Sequence, residues 1–306
     1  MNARIFRWVL LGALASVLAW LAFWWPRSPT VAVLGMALGL CGLGLQLGLQ
    51  MLLMRRVARA AGAPVPPARV ALAAWWAEWG QAQRVFGWRV PFGEQAEPDG
   101  WPAAGQGGGQ VGVVLVHGYL CNRGFWAPVL RALKAQGIAC AAVTLEPGQG
   151  QSIDAMVPSL DACARRMAQA TGRAPLIVAH SMGGLAARAW LRQLPPEERA
   201  ALVAHVVTLG TPHRGTWLAR FAGRLPGLQM RQDSEWLRQL PAAPPEVPFT
   251  CWWTACDNIV FPWPAATLPG SAEQALGDVA HVQLAFDARV WRFCLALRQR
   301  LQGGLG

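Results

Sequence analysis

Residues 175–185 constrain this chain most, because they join an apolar run, a serine and a second apolar segment with little between them. The run 176–179 (Leu-Ile-Val-Ala) is short, apolar and rich in β-branched residues, which predicts a buried strand. The alanine- and leucine-rich segment 185–194 predicts a helix that ends at the pair of prolines after it. Ser181 therefore stands at a sharp turn between a strand and a helix, where a serine hydroxyl is presented for chemistry.

Such a turn forces strained backbone angles on the serine, so the residues two positions before and after it must be small. Ala179 and Gly183 meet this requirement. The usual pattern is G-x-S-x-G. An alanine in its first position is a mild departure, because one methyl group still fits beside the turn. A match this short is weak by itself, so its meaning depends on partners elsewhere in the chain.

The segments on either side of Ser181 alternate between strand patterns and helix patterns. Further strands are predicted at 111–116, 138–145, 203–209 and 249–255, with a candidate first strand at 87–94, and helices at 123–136, 153–169 and 282–301. Continuous apolar strands separated by helices indicate a mostly parallel sheet that helices cover on both faces. The predicted fold class is therefore α/β.

A serine hydroxyl becomes an effective nucleophile when an imidazole takes its proton and an acid orients that imidazole. In an open α/β sheet such groups lie just past the carboxyl ends of strands. Asp257 follows the predicted strand 249–255, and His281 comes later, where a loop turns into the last helix. The order serine, acid, histidine favours Asp257 as the acid and His281 as the base.

Other histidines and acids remain alternatives. His213 is the strongest rival base, although a structural role suits its loop better. His180 adjoins the serine, so its side chain is expected to point the other way. Asp278 is the rival acid because it lies close in sequence to the predicted base. Asp154 and Glu146 follow an earlier strand and fit less well.

Acyl transfer also needs backbone amides that face the developing oxyanion. In this architecture one amide belongs to the residue after the serine, here Met182, and the other to the loop after an early strand. The turn His117-Gly118-Tyr119 follows the predicted strand 111–116, and its glycine lets the backbone come close. We therefore predict Tyr119 and Met182 as the oxyanion donors.

Several motifs taken together resemble one family. They are Val116–Tyr119, Ala179–Gly184, Leu209–Gly215, Asp257–Val260 and His281. Over about residues 111–300 the chain is similar to the bacterial triacylglycerol lipase and esterase branch of the α/β-hydrolases. The resemblance implies the α/β-hydrolase fold and ester hydrolysis through an acyl-enzyme, with no metal or organic cofactor.

The same resemblance assigns roles to individual residues. It carries the nucleophile onto Ser181, the acid onto Asp257, the base onto His281 and the oxyanion amides onto Tyr119 and Met182. An acyltransferase or a thioesterase uses the same triad and stays open as an alternative. A non-catalytic membrane binding protein that keeps this fold is a third interpretation.

The segment 216–247 is too long for a simple connection between two strands. It is rich in apolar residues, and four arginines lie among them. One interpretation is ordinary amphipathic helices over the sheet. The other is a cap that lines the substrate pocket, which predicts substrate contacts from Trp217, Leu218 and Phe221.

The residues before the α/β region are unusually apolar. The whole chain is 54% hydrophobic and 14% charged, with a mean hydropathy of +0.27. The stretches Trp8–Trp25 and Val31–Met54 are each long enough to cross a bilayer at about 1.5 Å per residue, which predicts a transmembrane hairpin. A cleaved signal peptide is the alternative for the first stretch, but no clean small-x-small cleavage site follows it and a second span does.

These patterns divide the chain into three parts. Residues 1–59 are the predicted membrane anchor, and residues 60–110 hold a linker, a tryptophan-rich helix (68–86) and the region of the first strand. Residues 111–306 are the predicted catalytic domain. The tryptophan-rich helix either packs on that domain or lies at the membrane surface.

Glycines at intervals of four residues mark the second apolar stretch. Gly35 and Gly39 form one pair, and residues 44 and 48 form another. Small residues at this spacing permit close approach of helices. We expect Gly12 and Ser16 of the first stretch to face them.

The net charge of +11 comes almost entirely from arginine. Zinc-finger spacing is absent from the sequence, as is a basic stripe with interleaved aromatics, so attraction to anionic lipid headgroups explains the charge better than nucleic acid does. Arginines lie before the first span and after the second, with only Arg27 between the two. The positive-inside rule then predicts both ends of the hairpin, and the catalytic domain, on the cytoplasmic side of a bacterial inner membrane.

Overall fold

The computed structural model describes residues 2–102, 108–148, 150–241 and 247–304. It begins with a hairpin of two long helices, α1 (Asn2–Trp24) and α2 (Pro29–Ala60). α3 (Ala68–Arg84) follows the proline-rich linker and continues through a π-helical turn (Val85–Arg89) into the short α4 (Val90–Phe92). By length and composition, α1 and α2 are both candidate membrane spans.

One sheet of six parallel strands follows these helices, in the order β2-β1-β3-β4-β5-β6. The strands are β1 (Val113–Val116), β2 (Cys140–Val143), β3 (Leu176–His180), β4 (His205–Leu209), β5 (Phe249–Thr254) and β6 (Ala272–Leu276). Val116 pairs with Ala179, and His180 pairs with Leu209. The ends of β1, β3 and β4 therefore lie side by side, and the predicted parallel sheet is confirmed.

Helices cover this sheet on both faces. They are α5 (Ala127–Ala135), α6 (Ile153–Thr171), α7 (Met182–Gln193), α8 (Pro196–Leu202), α9 (Glu235–Arg238), α10 (His281–Leu284) and α11 (Ala288–Gln302). Short 3₁₀ turns occur at Arg123–Trp126, Trp217–Phe221 and Trp263–Ala266. Local sequence signals set both ends of α6. The Ser152 side chain caps its first turn, and Gly172, with φ of 68°, terminates it.

Alternate residues of the central strands belong to two separate cores. Ile177 and Val206 pack in the core that contains α6 and α7, whereas Leu176 and Val178 pack in the core that contains α5 and α11. Successive strand side chains point to opposite faces. A strand that is apolar at every position therefore requires a cover on both sides, which the two helical layers supply.

Two predicted elements differ from the structure, and one strand was not predicted. Residues 87–94 are not a first strand, because 85–92 stay helical, with Val85 and Val90 buried in the domain core. The last helix is divided into α10 and α11 by a turn at 285–287. The exposed edge strand β6 has no apolar pattern, because its pairing with β5 rather than burial holds it in place.

The two glycine pairs of α2 face different partners. Gly35 and Gly39 lie against Trp20 and Val17 of α1, whereas residues 44 and 48 lie against Trp79 and Trp75 of α3. The pairs are nine residues apart, which is two and a half turns at about 3.6 residues per turn, so they occupy opposite sides of the helix. The expected contact with Gly12 is wrong, because a Cβ atom placed on Gly12 would have no α2 atom within 4 Å. Bulky side chains of α1 fill the grooves instead.

Close packing of α2 on α3 depends on Gly44. A Cβ atom there would lie 2.8 Å from the Trp79 ring, and the Trp75 Nε1 donates a hydrogen bond of 2.7 Å to the Gly44 carbonyl. We expect Gly44→Leu to destabilise the protein by about 1–3 kcal/mol through overpacking. Tryptophan fluorescence during thermal unfolding in detergent measures this. Gly42→Leu is the matched control, because no atom lies within 4 Å of a Cβ there, and equal midpoints for the two variants would contradict the packing argument.

Candidate active site

Ser181 occupies a strained turn between β3 and α7. Its φ of 55° and ψ of −128° lie in a region that residues with a side chain rarely adopt. Hydrogen bonds on both sides fix this geometry: the Ser181 amide donates to the Leu209 carbonyl at 2.8 Å, and its own carbonyl accepts from the Thr211 hydroxyl at 2.8 Å. The serine is therefore held by β4 and the loop after it.

Two glycines make room for this turn. A Cβ on Gly183 would lie 2.7 Å from the His117 carbonyl oxygen, and a Cβ on Gly118 would lie 2.7 Å from the Ser181 Cβ. Both separations are shorter than real carbon atoms tolerate, so the close approach of the β1 loop to the serine requires glycine at both positions.

Asp257 and His281 form a buried pair beside the serine. The His281 Nδ1 lies 2.9 Å from the Asp257 Oδ2, and their side chains are 5% and 3% exposed. The other carboxylate oxygen of Asp257 accepts the amides of Ile259 at 2.9 Å and Val260 at 2.7 Å. Because both oxygens have donors, the carboxylate has one orientation and presents a fixed acceptor to the imidazole.

The charge of Asp257 controls the proton affinity of His281. Burial lowers the pKa of His281, but the charge of Asp257 and its hydrogen bond outweigh burial, and the net effect is a raised pKa. A raised pKa means that the imidazolium, which forms when the ring accepts a proton, is stabilised. Gly210, with φ of 57°, packs against this pair and leaves room for it.

Ser181 and His281 line one cavity of about 380 Å³, together with the turn Gly118–Leu120. Met182 is the first residue of α7, where a backbone amide has no partner within its own helix. Leu120, next to Tyr119, has φ of 64°, so the turn after β1 is also strained. The structure thus brings together all the residues predicted for the triad and the oxyanion donors.

A second cavity of about 440 Å³ also reaches Ser181. The predicted cap segment forms its wall, and Leu218 and Phe221 line it. Trp217 lies elsewhere, because its ring stacks on Phe261 with centroids 5.8 Å apart. Residues 242–246 of the predicted cap lie outside the described residues.

Comparison with known proteins assigns the domain. A family model described as "Alpha/beta hydrolase family" matches residues 113–302. This chain belongs to the alpha/beta hydrolase family. The serine, the buried aspartate–histidine pair and all six strands of the hydrolase lie within the matched residues.

Several solved structures resemble the fold of this hydrolase. The propeptide form of lipase BlEst2 from Bacillus licheniformis matches with a TM-score of 0.53 and 19% identity, over 65% of this chain and 52% of that one. The mature form matches with a TM-score of 0.49 and 19% identity, over 62% and 92%. Aspergillus fumigatus lipase B matches with a TM-score of 0.48 and 18% identity, over 55% of this chain and 45% of that lipase.

The rival residues have structural partners in the hydrolase. The His213 Nε2 lies 3.0 Å from the Thr208 hydroxyl, in the buried end of β4. Asp278 is a surface residue that pairs with Arg289. Asp154 ties α6 to the cap segment, since it accepts a hydrogen bond of 2.6 Å from the Trp236 indole. Glu146 follows β2, at the opposite side of the sheet from Asp257.

His180 does not point away from the site, as its position beside Ser181 suggested. Its ring lines the serine cavity, 4.6 Å from the His281 ring, and stacks on Phe125. Burial lowers its pKa well below the usual value, so the ring is neutral. Its Nε2 donates to the His281 carbonyl at 3.1 Å. This side chain therefore holds the backbone of the predicted base.

Glu78 of α3 is a site residue that the sequence did not identify. Its carboxylate is buried and accepts the backbone amides of Val282 at 2.8 Å and Gln283 at 3.0 Å. These amides belong to the first turn of α10, the helix that begins with His281, where an anion is favourable. A signal existed in the sequence, since Glu78 is the first acidic residue of the chain and the only one in its tryptophan-rich helix.

A third contact links this site to α2. The Asn258 Oδ1 accepts the His281 amide at 3.3 Å, and the Asn258 Nδ2 donates to the Gln50 Oε1 at 2.8 Å. Asn258 is fully buried. Side chains from α2 and α3 thus approach the predicted base from outside the residues that match the family.

We predict that Glu78→Gln shifts the pH dependence of the site. The negative charge of Glu78 raises the pKa of His281, and the imidazole must be neutral to accept a proton from the serine. Without that charge the imidazole loses its proton at lower pH, so the acidic limb of activity moves to lower pH. Burial raises the pKa of Glu78 itself to about 7. In Glu78→Gln, the titration of this carboxyl near neutral pH should therefore be absent.

The rate at which a fluorophosphonate labels Ser181, measured across pH, checks this shift. Glutamine keeps one oxygen acceptor for the α10 amides, so the variant is expected to fold. Glu273→Gln, on the exposed strand β6, is the matched control and should leave the profile unchanged. An acidic limb that coincides in Glu78→Gln and wild type would disprove the electrostatic role.

Proposed function

We propose that this chain is a membrane-anchored serine hydrolase that cleaves carboxylic esters through an acyl-enzyme. The observation that carries the proposal is the buried 2.9 Å contact between Asp257 and His281, whose ring lines the same cavity as Ser181. Membership of the alpha/beta hydrolase family supports the reaction class. The lipase relatives support the fold, and an ester substrate is our inference from the site.

The proposed reaction has two halves. In the first half, Ser181 attacks the ester carbonyl while His281 accepts its proton, and His281 then donates that proton to the departing alcohol. In the second half, water attacks the acyl-enzyme by the same route and releases the acid. Asp257 keeps the imidazole in one orientation and stabilises its charged form. Every proton transfer therefore uses side chains of this chain.

The oxyanion of each tetrahedral intermediate is proposed to face the amides of Met182 and Tyr119. Strain in both turns supports this assignment, because φ is 55° at Ser181 and 64° at Leu120. Strained backbone persists where the surrounding structure fixes it, often at functional sites. Fixed amides stabilise the developing charge without reorganising during the reaction.

The N-terminal helices support an anchor that is retained in the working protein. Their outer surfaces expose many large apolar side chains, such as Trp8, Leu14 and Leu38, and such extended apolar surfaces mark membrane contact. The buried Asn2 side chain donates to the Cys121 carbonyl at 2.7 Å, and Arg7 donates to the Pro91 carbonyl at 2.6 Å. A cleaved signal peptide would remove these contacts with the domain.

An acyltransferase or a thioesterase remains the alternative within the same site. Either would use the same nucleophile, with another acceptor in place of water or a thioester in place of the ester. A non-catalytic membrane binding protein is the alternative outside enzymes. The pairing of Asp257 with His281 favours an enzyme, because a binding protein has no need of a buried, charge-stabilised imidazole.

We expect a fluorophosphonate probe to label wild type in membranes and to leave Ser181→Ala unlabelled. We also expect Ser181→Ala to lose about 10⁴-fold or more of its turnover of p-nitrophenyl esters, as serine hydrolases do without their nucleophile. Ser159→Ala is the matched control, because Ser159 of α6 lines neither of the two cavities at Ser181. A wild type that does not label would end the hydrolase proposal, and a panel of esters and acyl-CoAs then separates hydrolase, thioesterase and acyltransferase.

We propose that the catalytic domain lies on the cytoplasmic side of a bacterial inner membrane. Arginine residues before the first span and after the second support this orientation. Tryptophans 24 and 25 lie at the turn of the hairpin, on the other side of the membrane in this orientation. An alkaline phosphatase fusion at residue 100 should be inactive, whereas a fusion at Arg27 should be active. Strong activity at residue 100 would reverse the assigned topology.

A further inference from the structure

The cavity beside Ser181 is built only in part by the hydrolase domain. Much of its wall comes from the three N-terminal helices: Phe6 of α1, a run on α2, and Glu78 and Ala82 of α3, with Phe86 just after it. All of these precede residue 113, where the family match begins. The N-terminal extension therefore supplies part of this pocket at Ser181.

The α2 residues on this wall form one stripe along the helix. Leu43, Gln46, Leu47 and Gln50 are spaced by three or four residues, which places them on one face. The same stripe, continued toward the start of α2, passes through Gly39 and Gly35. Those glycines contact α1, so one face of α2 meets α1 near the turn of the hairpin and meets the cavity near the domain.

The two helices of the hairpin contact each other near its turn and share the wall of the cavity near the domain. Near the turn, Trp20 lies on Gly35, and its Nε1 donates to the Val31 carbonyl at 3.2 Å. Near the domain, Phe6 and Leu43 lie on facing helices and both line the cavity. The cavity beside Ser181 therefore lies against both helices of the hairpin.

The polar residues of α2 support a path for a substrate. Gln46 and Gln50 are the only strongly polar residues of its apolar stretch, and both line the cavity. Polar side chains within a membrane span face cavities and mark substrate pathways. The opposite surface of α2 is apolar and exposed, with Leu34, Leu38 and Leu52 all more than 60% accessible.

We propose that this cavity is an acyl-chain pocket that receives the chain of a lipid ester from the bilayer, between α1 and α2. The proposal rests on the proposed function, since it gives the substrate class of the same site. A volume of about 380 Å³ lies in the range of small-molecule pockets. Most of the residues that line the pocket are apolar, so a chain that passes from bilayer to pocket keeps most of its methylenes away from water.

Leu43→Trp tests the pocket, because Leu43 is half-buried and an indole there would fill the space. Wild type and variant in phosphatidylcholine vesicles are treated with two fluorophosphonates, one with a hexadecyl chain and one with an ethyl group. We expect the ratio of long-chain to short-chain labelling rates to fall by at least about tenfold in Leu43→Trp. Leu38→Trp, on the exposed surface of the same helix away from the cavity, should keep the wild-type ratio.

A second measurement does not depend on a variant. Ser181 is labelled with a hexadecyl fluorophosphonate that carries a terminal diazirine. The labelled protein is then irradiated, and the crosslinked peptides are sequenced. The pocket predicts crosslinks to the α2 stripe or to Phe6. Crosslinks to Leu218 or Phe221 would instead assign the chain to the cavity under the cap and would overturn the proposal.

Varying the amount of phosphatidylcholine at a constant amount of probe distinguishes entry of the chain from the bilayer and entry from water. Entry from the bilayer predicts that long-chain labelling follows the mole fraction of probe in the vesicle. A rate that follows the bulk concentration of probe would assign entry from water and refute the lateral path. Failure of the ethyl probe to label wild type would refute the hydrolase itself, so the two proposals fail separately.

Discussion

The fixed position of His281 is the constraint on which the site depends. Its ring is bound to Asp257 at 2.9 Å, its amide to the Asn258 side chain and its carbonyl to His180. Glu78 accepts the next two amides along the chain. A buried imidazole that must gain and lose a proton is effective only when each neighbour stays in place through both charge states, because a shift of about 1 Å can cost 10²-fold in rate.

Residues from outside the hydrolase domain support His281 both directly and through Asn258. Glu78 lies on α3, and Gln50 of α2 holds the amide group of Asn258. The N-terminal helices are therefore part of the scaffold of the candidate site as well as candidate spans. Movement of α2 relative to the domain would therefore disturb the contact at Asn258, whose side chain also accepts the amide of the predicted base.

Most of the α/β domain was predictable because its signals are local. Apolar strand patterns, the turn at Ser181 and the order of Asp257 and His281 all lie within short segments of the sequence. Elements held by distant partners were not predictable. β6 depends on pairing with β5, and the strand predicted at 87–94 is wrong because residues 85–92 stay helical and pack against the domain. The role of Glu78 is of the same kind, because its partners lie more than two hundred residues away.

Glu78 also carries an energetic argument for function. A buried carboxylate is expensive, and no cation pairs with it among the described residues; two backbone amides are its hydrogen-bond donors. Burial raises its pKa to about 7, so near neutral pH the charged form is only partly stabilised. An apolar residue could fill the same space on α3, but it would leave the amides of Val282 and Gln283 without this acceptor. What it could not supply is an anion at the start of α10, where negative charge stabilises the helix and favours a proton on His281.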